Sequence, residues 1–231
     1  MPIDDYLEKL TIEPVKHKKT YKIHPFIGNP NDYIILPETK DRPDILVKRS
    51  TIHYPGLISS QILDKHLENT NIFLLPLSYF VELLDYLFCS SKFYNAEGIQ
   101  IPSYENVLGN FIKQIYDDYE FLGNTFSLQG GFNMWWENTY TKIIDGKLKK
   151  VSEELDLDAL FEDRSISITS WIKDPTPQGF PRKNCLYGLN DYEKPESGSN
   201  YVIDFSGDKF GIKNRNMIID LDIVFRPALI L

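Results

Sequence analysis

The sequence contains few of the side chains from which redox centres, metal sites and disulfide frameworks are built. Its 231 residues include only two cysteines, Cys89 and Cys185, and four histidines. Two cysteines without C-x-x-C spacing predict neither a disulfide framework nor a redox or zinc site. We therefore expect free thiols rather than a single bridge, with Cys89 in an apolar core. The histidines lack the H-x-x-x-H and H-E-x-x-H spacings of zinc ligands.

Long apolar runs and basic clusters are equally scarce. No apolar run approaches the ~18 residues that a membrane helix needs, so we predict no membrane insertion. The opening MPIDDYLEKL lacks the basic and apolar regions of a secretory signal, which favours the cytoplasm or a virus particle as the location. A net charge of −8 repels phosphate backbones and disfavours nucleic-acid binding.

Catalytic motifs are missing as well. G-x-S-x-G, G-x-x-x-x-G-K-[ST] and G-x-G-x-x-G do not occur in the sequence. Carboxylates are numerous, but no pair is isolated in an apolar setting that would raise a pKa for acid–base work. A calcium site among Asp156, Asp158, Glu162 and Asp163 is disfavoured because the glycine-bent loop of an EF-hand is missing. We therefore predict no enzymatic activity, no cofactor and no metal.

Two amphipathic helices are the clearest pattern that the sequence does contain. In LLPLSYFVELLDYLFCSSK, the proline suits a first helical turn and one face is apolar. That face comprises Leu77, Phe80, Val81, Leu84, Leu87 and Phe88. In IPSYENVLGNFIKQIYDDY, Ser103 is a good N-cap and apolar residues recur at i, i+4 and i+8. The wide apolar sides predict that these helices pack on each other or on a sheet.

Short apolar segments between turn residues predict several β-strands. Tyr33–Leu36 and Ile45–Val47 precede the helices, and Asp145-Gly146 between apolar segments predicts a hairpin. SEELDLDALFED is interpreted as a short acidic helix or loop. Further strands are predicted in the C-terminal part, at Ile166–Ile168, Tyr201–Phe205, Met217–Ile219 and the apolar ending. Helices first and loop-rich strands last favour a single α+β domain.

The C-terminal third mixes small, polar and aromatic residues in QGFPRKN, CLYGLNDY and DFSGDKFGIKNRN. On loops and strand ends, such a mixture suits an adaptable recognition surface. A solvated loop above an ordinary aromatic core is the alternative, and the residues alone do not choose between the two.

The ending FRPALIL resembles the last strand of C-type-lectin-fold proteins of the formylglycine-generating-enzyme type. Among these are the variable proteins that retroelements diversify, which often end in a G-[VF]-R-[PF]-A motif. Five stretches are similar, in the same order, to archaeal variable proteins: RPDILVKRSTIHYPGL, NIFLLPLSYFVELLDYL, KFYNAEGIQIP, SWIKDPTPQGFP and YVIDFSGDKFGIKNRNMIIDLDIVFRPAL. The resemblance covers roughly residues 40 to 231.

The resemblance implies an α+β, C-type-lectin-like fold with two helices packed on short antiparallel strands and a loop-rich C-terminal half. It divides the chain into an N-terminal extension with short strands, residues 1–40, and a lectin-like domain, residues 41–231. In that fold the first and last strands pair, so the ending is buried, and its proline fits at an edge or a bulge. Arg226 becomes a structural arginine whose guanidinium is satisfied by backbone carbonyls or a carboxylate.

The resemblance also implies a ligand-binding, variable surface at about residues 183–222, which binds a protein or another macromolecule. The implied contact residues are Ser206, Asp208, Phe210, Lys213, Asn214, Arg215, Asn216 and Asp220, with Tyr187, Asn190 and Tyr192 as neighbours. The sugar-binding triplets of calcium-dependent lectins and the cysteine pair of formylglycine-generating enzymes are missing. A metal-dependent or degenerate enzyme on the same fold, and a structural or receptor-binding component of a virus particle, are the alternatives.

Overall fold

The computed structural model describes residues 28–54, 67, 71–102, 106–117, 120–130, 135–155, 168–182, 200–206, 209–215 and 223–230. Within these ranges the protein is a mixed α/β structure with few helices and mainly antiparallel sheets, which is compatible with the predicted α+β class. The helices are a 3-10 turn at Pro30–Asp32, α1 Leu77–Cys89, α2 Val107–Asp117 and α3 Ile168–Lys173. The strands are β1 Tyr33–Leu36, β2 Ile45–Lys48, β3 Ile52–Tyr54, β4 Ile72–Leu74, β5 Glu120–Gln129, β6 Trp135–Ile144, β7 Lys147–Glu154, β8 Asn200–Ser206, β9 Lys209–Arg215, β10 Ile223–Phe225 and β11 Pro227–Ile230.

The first sheet has four antiparallel strands in the order β1-β2-β11-β4. Its strands are short and almost wholly apolar, as expected for strands buried on both faces. The strand predicted at Tyr33–Leu36 is confirmed as β1, and all four of its residues are buried. Because β1 pairs with β2 along its whole length, this part of the predicted N-terminal extension belongs to the same sheet as the residues that follow position 41.

The second sheet follows the order β3-β10-β5-β6-β7, with β8 also paired to β5 and β9 paired to β8. Its described pairs are antiparallel except for β10 and β5, which run parallel. The two-residue turn Asp145-Gly146 joins β6 to β7, and both residues have positive φ, 53° and 71°. These dihedrals are those of a type I′ turn, which matches the twist of the flanking strands. The hairpin prediction is confirmed.

Helices α1 and α2 confirm the two helical predictions, with corrections at their ends. Phe88 and Cys89, which the sequence assigned to the apolar side and the core, are exposed, because nothing described covers that side of the last turn of α1. The described start of α2 is Val107, and Asn106 caps it, since the Asn106 Oδ1 accepts a hydrogen bond from the Gly109 N–H at 2.9 Å. Ser103, the predicted N-cap, lies outside the described residues.

Two predictions for the second half of the chain, one of an acidic helix or loop and one of a strand, are wrong at the residues that the structure describes. The predicted acidic helix or loop begins at Ser152, but β7 runs to Glu154 and pairs with β6 throughout. Ladder hydrogen bonds here outweigh the low strand propensity of glutamate. Ile168, predicted to end a strand, is the first residue of α3. The strand at Tyr201–Phe205 is confirmed within β8, and Met217–Ile219 lies outside the described residues.

The main core lies where α1 meets the strands and α3. Phe80 is fully buried, with its ring centroid 5.9 Å from that of Phe111 in α2 and 6.4 Å from that of Trp171 in α3. Aromatic side chains bury large areas, so this cluster contributes strongly to the attachment of the helices. The Tyr79 hydroxyl oxygen accepts a hydrogen bond from the Ile143 N–H at 3.0 Å, which ties α1 to β6.

Buried tyrosines predict a loss of stability in alkaline solution. Burial raises the pKa of Tyr86 to about 12, and the pKa values of Tyr79 and Tyr140 also lie above the ordinary value, mainly because of burial. The unfolded chain releases these protons near pH 10, before the folded chain does, so the contribution of these tyrosines to stability should be constant below that pH and fall above it.

Thermal unfolding measured from pH 8 to pH 12 tests this expectation. The Tyr86→Phe variant, which has no phenol to ionise, should show a shallower fall above pH 10 than the unmodified chain. It also loses the hydrogen bond from the Tyr86 hydroxyl to the Lys92 carbonyl, so the slopes and not the absolute stabilities are compared. Parallel curves for the two proteins would exclude Tyr86 as a source of the alkaline instability.

Candidate functional site

The described part of the predicted ligand-binding stretch forms the β8–β9 hairpin. Strand β8 pairs with β5 on one side and with β9 on the other, whereas β9 pairs only with β8 among the described strands. The hairpin is therefore anchored through β8, and β9 is the outer strand. Ser206 ends β8 opposite Lys209 at the start of β9.

The structure brings five of the predicted contact residues onto this hairpin: Ser206, Phe210, Lys213, Asn214 and Arg215. The register places Lys213 opposite Val202 and Asn214 opposite Tyr201. The sequence assigned these residues to loops and strand ends, but the last four lie within a seven-residue strand. Tyr187, Asn190, Tyr192, Asp208, Asn216 and Asp220 lie outside the described residues.

Arg226 follows this hairpin in the sequence. It lies between β10 and β11, and its side chain is fully buried. Its Nε donates to Glu120 Oε1 at 3.0 Å and one Nη2 hydrogen bond reaches Glu120 Oε2 at 3.1 Å, so the pair is bidentate. The Glu120 side chain, in β5, is also almost fully buried, at 1% exposure. The guanidinium carbon lies 4.1 Å from the centroid of the Phe111 ring, within the range of a cation–π contact.

The remaining donors of Arg226 reach the other elements around it. Nη1 donates to the carbonyl oxygens of Lys48 at 2.9 Å and Arg49 at 2.6 Å, and Nη2 also donates to Gln114 Oε1 at 3.3 Å. With the two bonds to Glu120, all five N–H groups of the guanidinium have an acceptor. The resemblance implies backbone carbonyls or a carboxylate as partners of Arg226, and both kinds contact it.

A change of register explains why backbone carbonyls are available there. Strands β2 and β3 run antiparallel to β11 and β10, so the two chain segments pass together from one sheet to the other. Phe225 pairs with Ile52, and Ala228 pairs with Val47. These pairs are three residues apart on the C-terminal segment but five residues apart on its partner. The extra residues interrupt the ladder and leave carbonyl groups that need donors. Arg226 supplies those donors.

Pro227, which looked out of place in a buried strand, is the first residue of β11. A proline at this position has no N–H to contribute, and the ladder is already interrupted at Arg226. The resemblance implies that this proline lies at an edge or a bulge of the sheet. The interruption of the ladder at Arg226 is compatible with that expectation.

Two seven-residue turns share a hydrogen-bond pattern that the sequence analysis did not detect, at residues 94–100 and 175–181. In each, a polar residue, Asn95 or Thr176, donates its N–H to the carbonyl four residues later, at 2.8 and 2.7 Å. Its side-chain oxygen accepts the N–H of that same later residue, at 2.9 and 3.0 Å. A glycine with φ of 75° or 91° precedes that residue. The shared signal is a polar residue three positions before a glycine, in NAEG and TPQG.

Arg42 is a second buried arginine that the sequence analysis overlooked. Its Nε donates to Glu82 Oε2 at 2.7 Å, and its Nη1 donates to the carbonyl oxygens of Pro37 and Pro43 at 2.9 and 3.0 Å. Like Arg226, it precedes a proline at the edge of a short apolar strand. That shared Arg-Pro context is the signal that could have identified it.

The described residues include neither a cluster of metal ligands nor an activated thiol. No group of three or more His, Cys, Asp or Glu side chains there is arranged to hold a metal ion. Cys89 donates a hydrogen bond to Asp85 Oδ1 at 3.3 Å, and this bond raises the pKa of the thiol, which favours its unreactive protonated form. Within the same described residues, no helix is long and apolar enough to span a membrane.

Comparison with known proteins returns no relative of this chain. No protein-family model, no curated protein and no solved structure matches it.

Proposed function

We propose that this protein binds a macromolecular ligand, such as a protein, through variable side chains displayed on a C-type-lectin-like scaffold, as retroelement-diversified variable proteins do. The β8–β9 hairpin and the residues that follow it carry the contacts, with Ser206, Phe210, Lys213, Asn214 and Arg215 on the hairpin. A rigid support reduces the ordering entropy lost on binding, so that affinity depends on the side chains presented.

The observation that carries this proposal is the contrast between the hairpin and the segment that follows it. Strand β10 pairs with β3 and β5, strand β11 pairs with β2 and β4, and the buried Arg226 between them is hydrogen-bonded to Glu120. The outer strand β9 has one described partner, β8. We expect that side chains on a strand with one described neighbour can change at little cost to the fold while the closely held segment stays fixed.

The resemblance of the FRPALIL ending to lectin-type terminal strands supports the proposed scaffold. That ending is paired within the first sheet, next to β2 and β4. The five ordered stretches of similarity include both seven-residue turns and both Arg-Pro pairs. These are buried elements that hold the loops and strands together, rather than surface residues.

A library test follows from the proposal. Positions 206, 210, 213, 214 and 215 are randomised on the yeast surface and selected against a panel of unrelated soluble proteins. We expect most members to fold, with unfolding free energies within about 1 kcal/mol of the parent, and different panel proteins to select different sequences. A matched library at Tyr33, Ile35, Leu46, Val47 and Leu229, which are buried in the first sheet, should fold rarely.

Two outcomes of that selection would contradict the proposal: a hairpin library that folds as rarely as the buried one, or one that folds but yields no specific binder. The DNA beside the gene gives an independent check. A near-copy of the 3′ end that differs mainly at adenines, together with a reverse transcriptase gene, is expected if a retroelement diversifies this surface.

A further inference from the structure

A cleft of about 460 Å³ lies between α2, the end of α1 and the segments that flank β1 and β2. Small-molecule sites typically enclose roughly 300–1,000 Å³, so this cleft can hold a drug-sized molecule. Among the described residues that line it, none is a predicted contact residue. We therefore treat the cleft as a second candidate site beside the β8–β9 hairpin.

The apolar part of the cleft comes from Ile34, Leu87, Val107 and Phe111. These four side chains belong to the main core and are held by three different elements, β1, α1 and α2. An apolar floor fixed in this way offers a preformed contact for the hydrocarbon part of a ligand, at about 25 cal/mol for each Å² removed from water.

Among the described residues that line the cleft, positive charges outnumber negative ones, although the whole chain has a net charge of −8. These charged residues are Arg49, Lys113 and Asp32. The Arg49 side chain is held in position, because its Nη1 donates to the Asn31 carbonyl at 3.1 Å. A local excess of positive charge in an acidic protein favours a negatively charged ligand.

The Gln114 amide adds a hydrogen-bond donor to this cleft. Gln114 Oε1 accepts from Arg226 Nη2 at 3.3 Å, and a guanidinium can only donate, so the orientation of the amide is fixed. The Gln114 NH₂ group is then the part of the amide turned away from Arg226. Since Gln114 lines the cleft, this NH₂ is a donor for an occupant.

The orientation of the Asn31 amide follows from the same argument, applied first to its neighbour Asn95. Asn95 Oδ1 accepts the N–H groups of Glu97 and Ile99, so its Nδ2 must donate, and it does so to Asn31 Oδ1 at 2.7 Å. The Asn31 NH₂ group is therefore the part of the amide turned away from Asn95 Nδ2. The described lining of the cleft thus includes two amides whose oxygen atoms already accept hydrogen bonds, together with two cations. This set favours a ligand group that only accepts hydrogen bonds.

We propose that this cleft binds a small molecule that carries an oxyanion, either a carboxylate or a phosphate, on an apolar body. The oxyanion contacts Arg49, Lys113 and the amide of Gln114, and the apolar body lies against Val107 and Phe111. Because the cleft exists only in the folded chain, occupancy also stabilises the fold.

Three probes that share one ring system test the proposal: 1-naphthoate, 1-naphthyl phosphate and the neutral 1-naphthalenemethanol. We expect at least one of the two oxyanions to bind in calorimetric titration about tenfold or more tightly than the alcohol, and to raise the unfolding temperature. The tighter of the two identifies the headgroup class. Equal binding of the alcohol, or binding of none of the three at millimolar concentration, would overturn the proposal.

Three single substitutions test whether a probe that binds the protein does so in the cleft. Lys113 is exposed, so Lys113→Gln should fold normally and weaken oxyanion binding about two- to fivefold. Asp32→Asn should strengthen it, because a repelling carboxylate is removed. Lys147→Gln, at the exposed end of the β6–β7 hairpin, removes the same charge at a distance and should change nothing. If Lys113→Gln and Lys147→Gln have equal effects, the probe binds elsewhere and the proposal fails.

Discussion

Replacement of Arg226 by alanine should lower the free energy of unfolding by about 3–5 kcal/mol, the range measured when one partner of a buried ion pair is removed. The change leaves the Glu120 carboxylate buried with its countercharge gone, and it leaves the carbonyls of Lys48 and Arg49 without this donor. Arg226→Lys should also be strongly destabilising, because an ammonium group has three donors and cannot form the bidentate pair. Urea unfolding followed by tryptophan fluorescence measures both losses.

A matched control is available on the surface of the protein. Arg182 donates to Asp174 at the same 3.0 Å distance, but both side chains are partly or largely exposed. Arg182→Ala should therefore cost less than about 1 kcal/mol. If the two alanine variants lose similar amounts, burial of the Arg226–Glu120 pair contributes nothing and the structural role of Arg226 is wrong.

A double variant separates the ion pair from the carbonyl contacts. Arg226→Met combined with Glu120→Leu removes both charges, so its loss should be smaller than the sum of the two single losses. Some loss should remain, because the carbonyls of Lys48 and Arg49 still lack the donors that Arg226 provides. Strictly additive losses would contradict a direct pairing of the two side chains.

Gly179→Ala is the second substitution for which we expect a large effect, a loss of about 2–5 kcal/mol. A Cβ at this position would lie 2.5 Å from Ser78 N and 2.7 Å from the Leu77 carbonyl carbon, both backbone atoms of the first turn of α1. Backbone cannot move aside as a flexible side chain can, so the turn at residues 175–181 must separate from the helix. That displacement would also strain the hydrogen bond from Trp171 Nε1 to the Gly179 carbonyl, 2.8 Å long.

Gly146→Ala controls for backbone strain in this experiment. Gly146 also has a positive φ, 71° against 91° for Gly179, but a Cβ there would meet nothing within 4 Å. Its loss should be about 1–2 kcal/mol, the cost of a left-handed conformation for an alanine. The difference between the two variants measures the close approach of the turn to α1. Equal losses would mean that this approach does not matter for stability.

Local signals in the sequence predicted the elements that depend on neighbouring residues. Helix α1 and the Asp145-Gly146 turn were identified because apolar periodicity and turn chemistry act over a few residues. The end of α1 was misjudged at Phe88 and Cys89, because periodicity does not show how far along a helix its apolar side is covered.

Contacts between distant residues could not be predicted in the same way. Glu120 and Arg226 are 106 positions apart, and no pattern within either segment identifies its partner. Glu120 lies between Tyr119 and Phe121, two residues after Asp118, and nothing in this context shows what it pairs with. The cleft likewise depends on four separated segments that meet only in the folded chain.

The central position of β11 in the first sheet constrains the time course of folding. Its partner β2 precedes it by roughly 180 residues, as in the pairing of Leu46 with Leu229. During translation, the facing edges of β2 and β4 therefore have no partner until residues 227–230 leave the ribosome. Contacts over such long sequence separations form slowly, and unpaired edges promote association with other chains. We expect truncated products that end before residue 223 to be insoluble or rapidly degraded. Chains shortened by a premature stop codon should therefore not accumulate as folded protein.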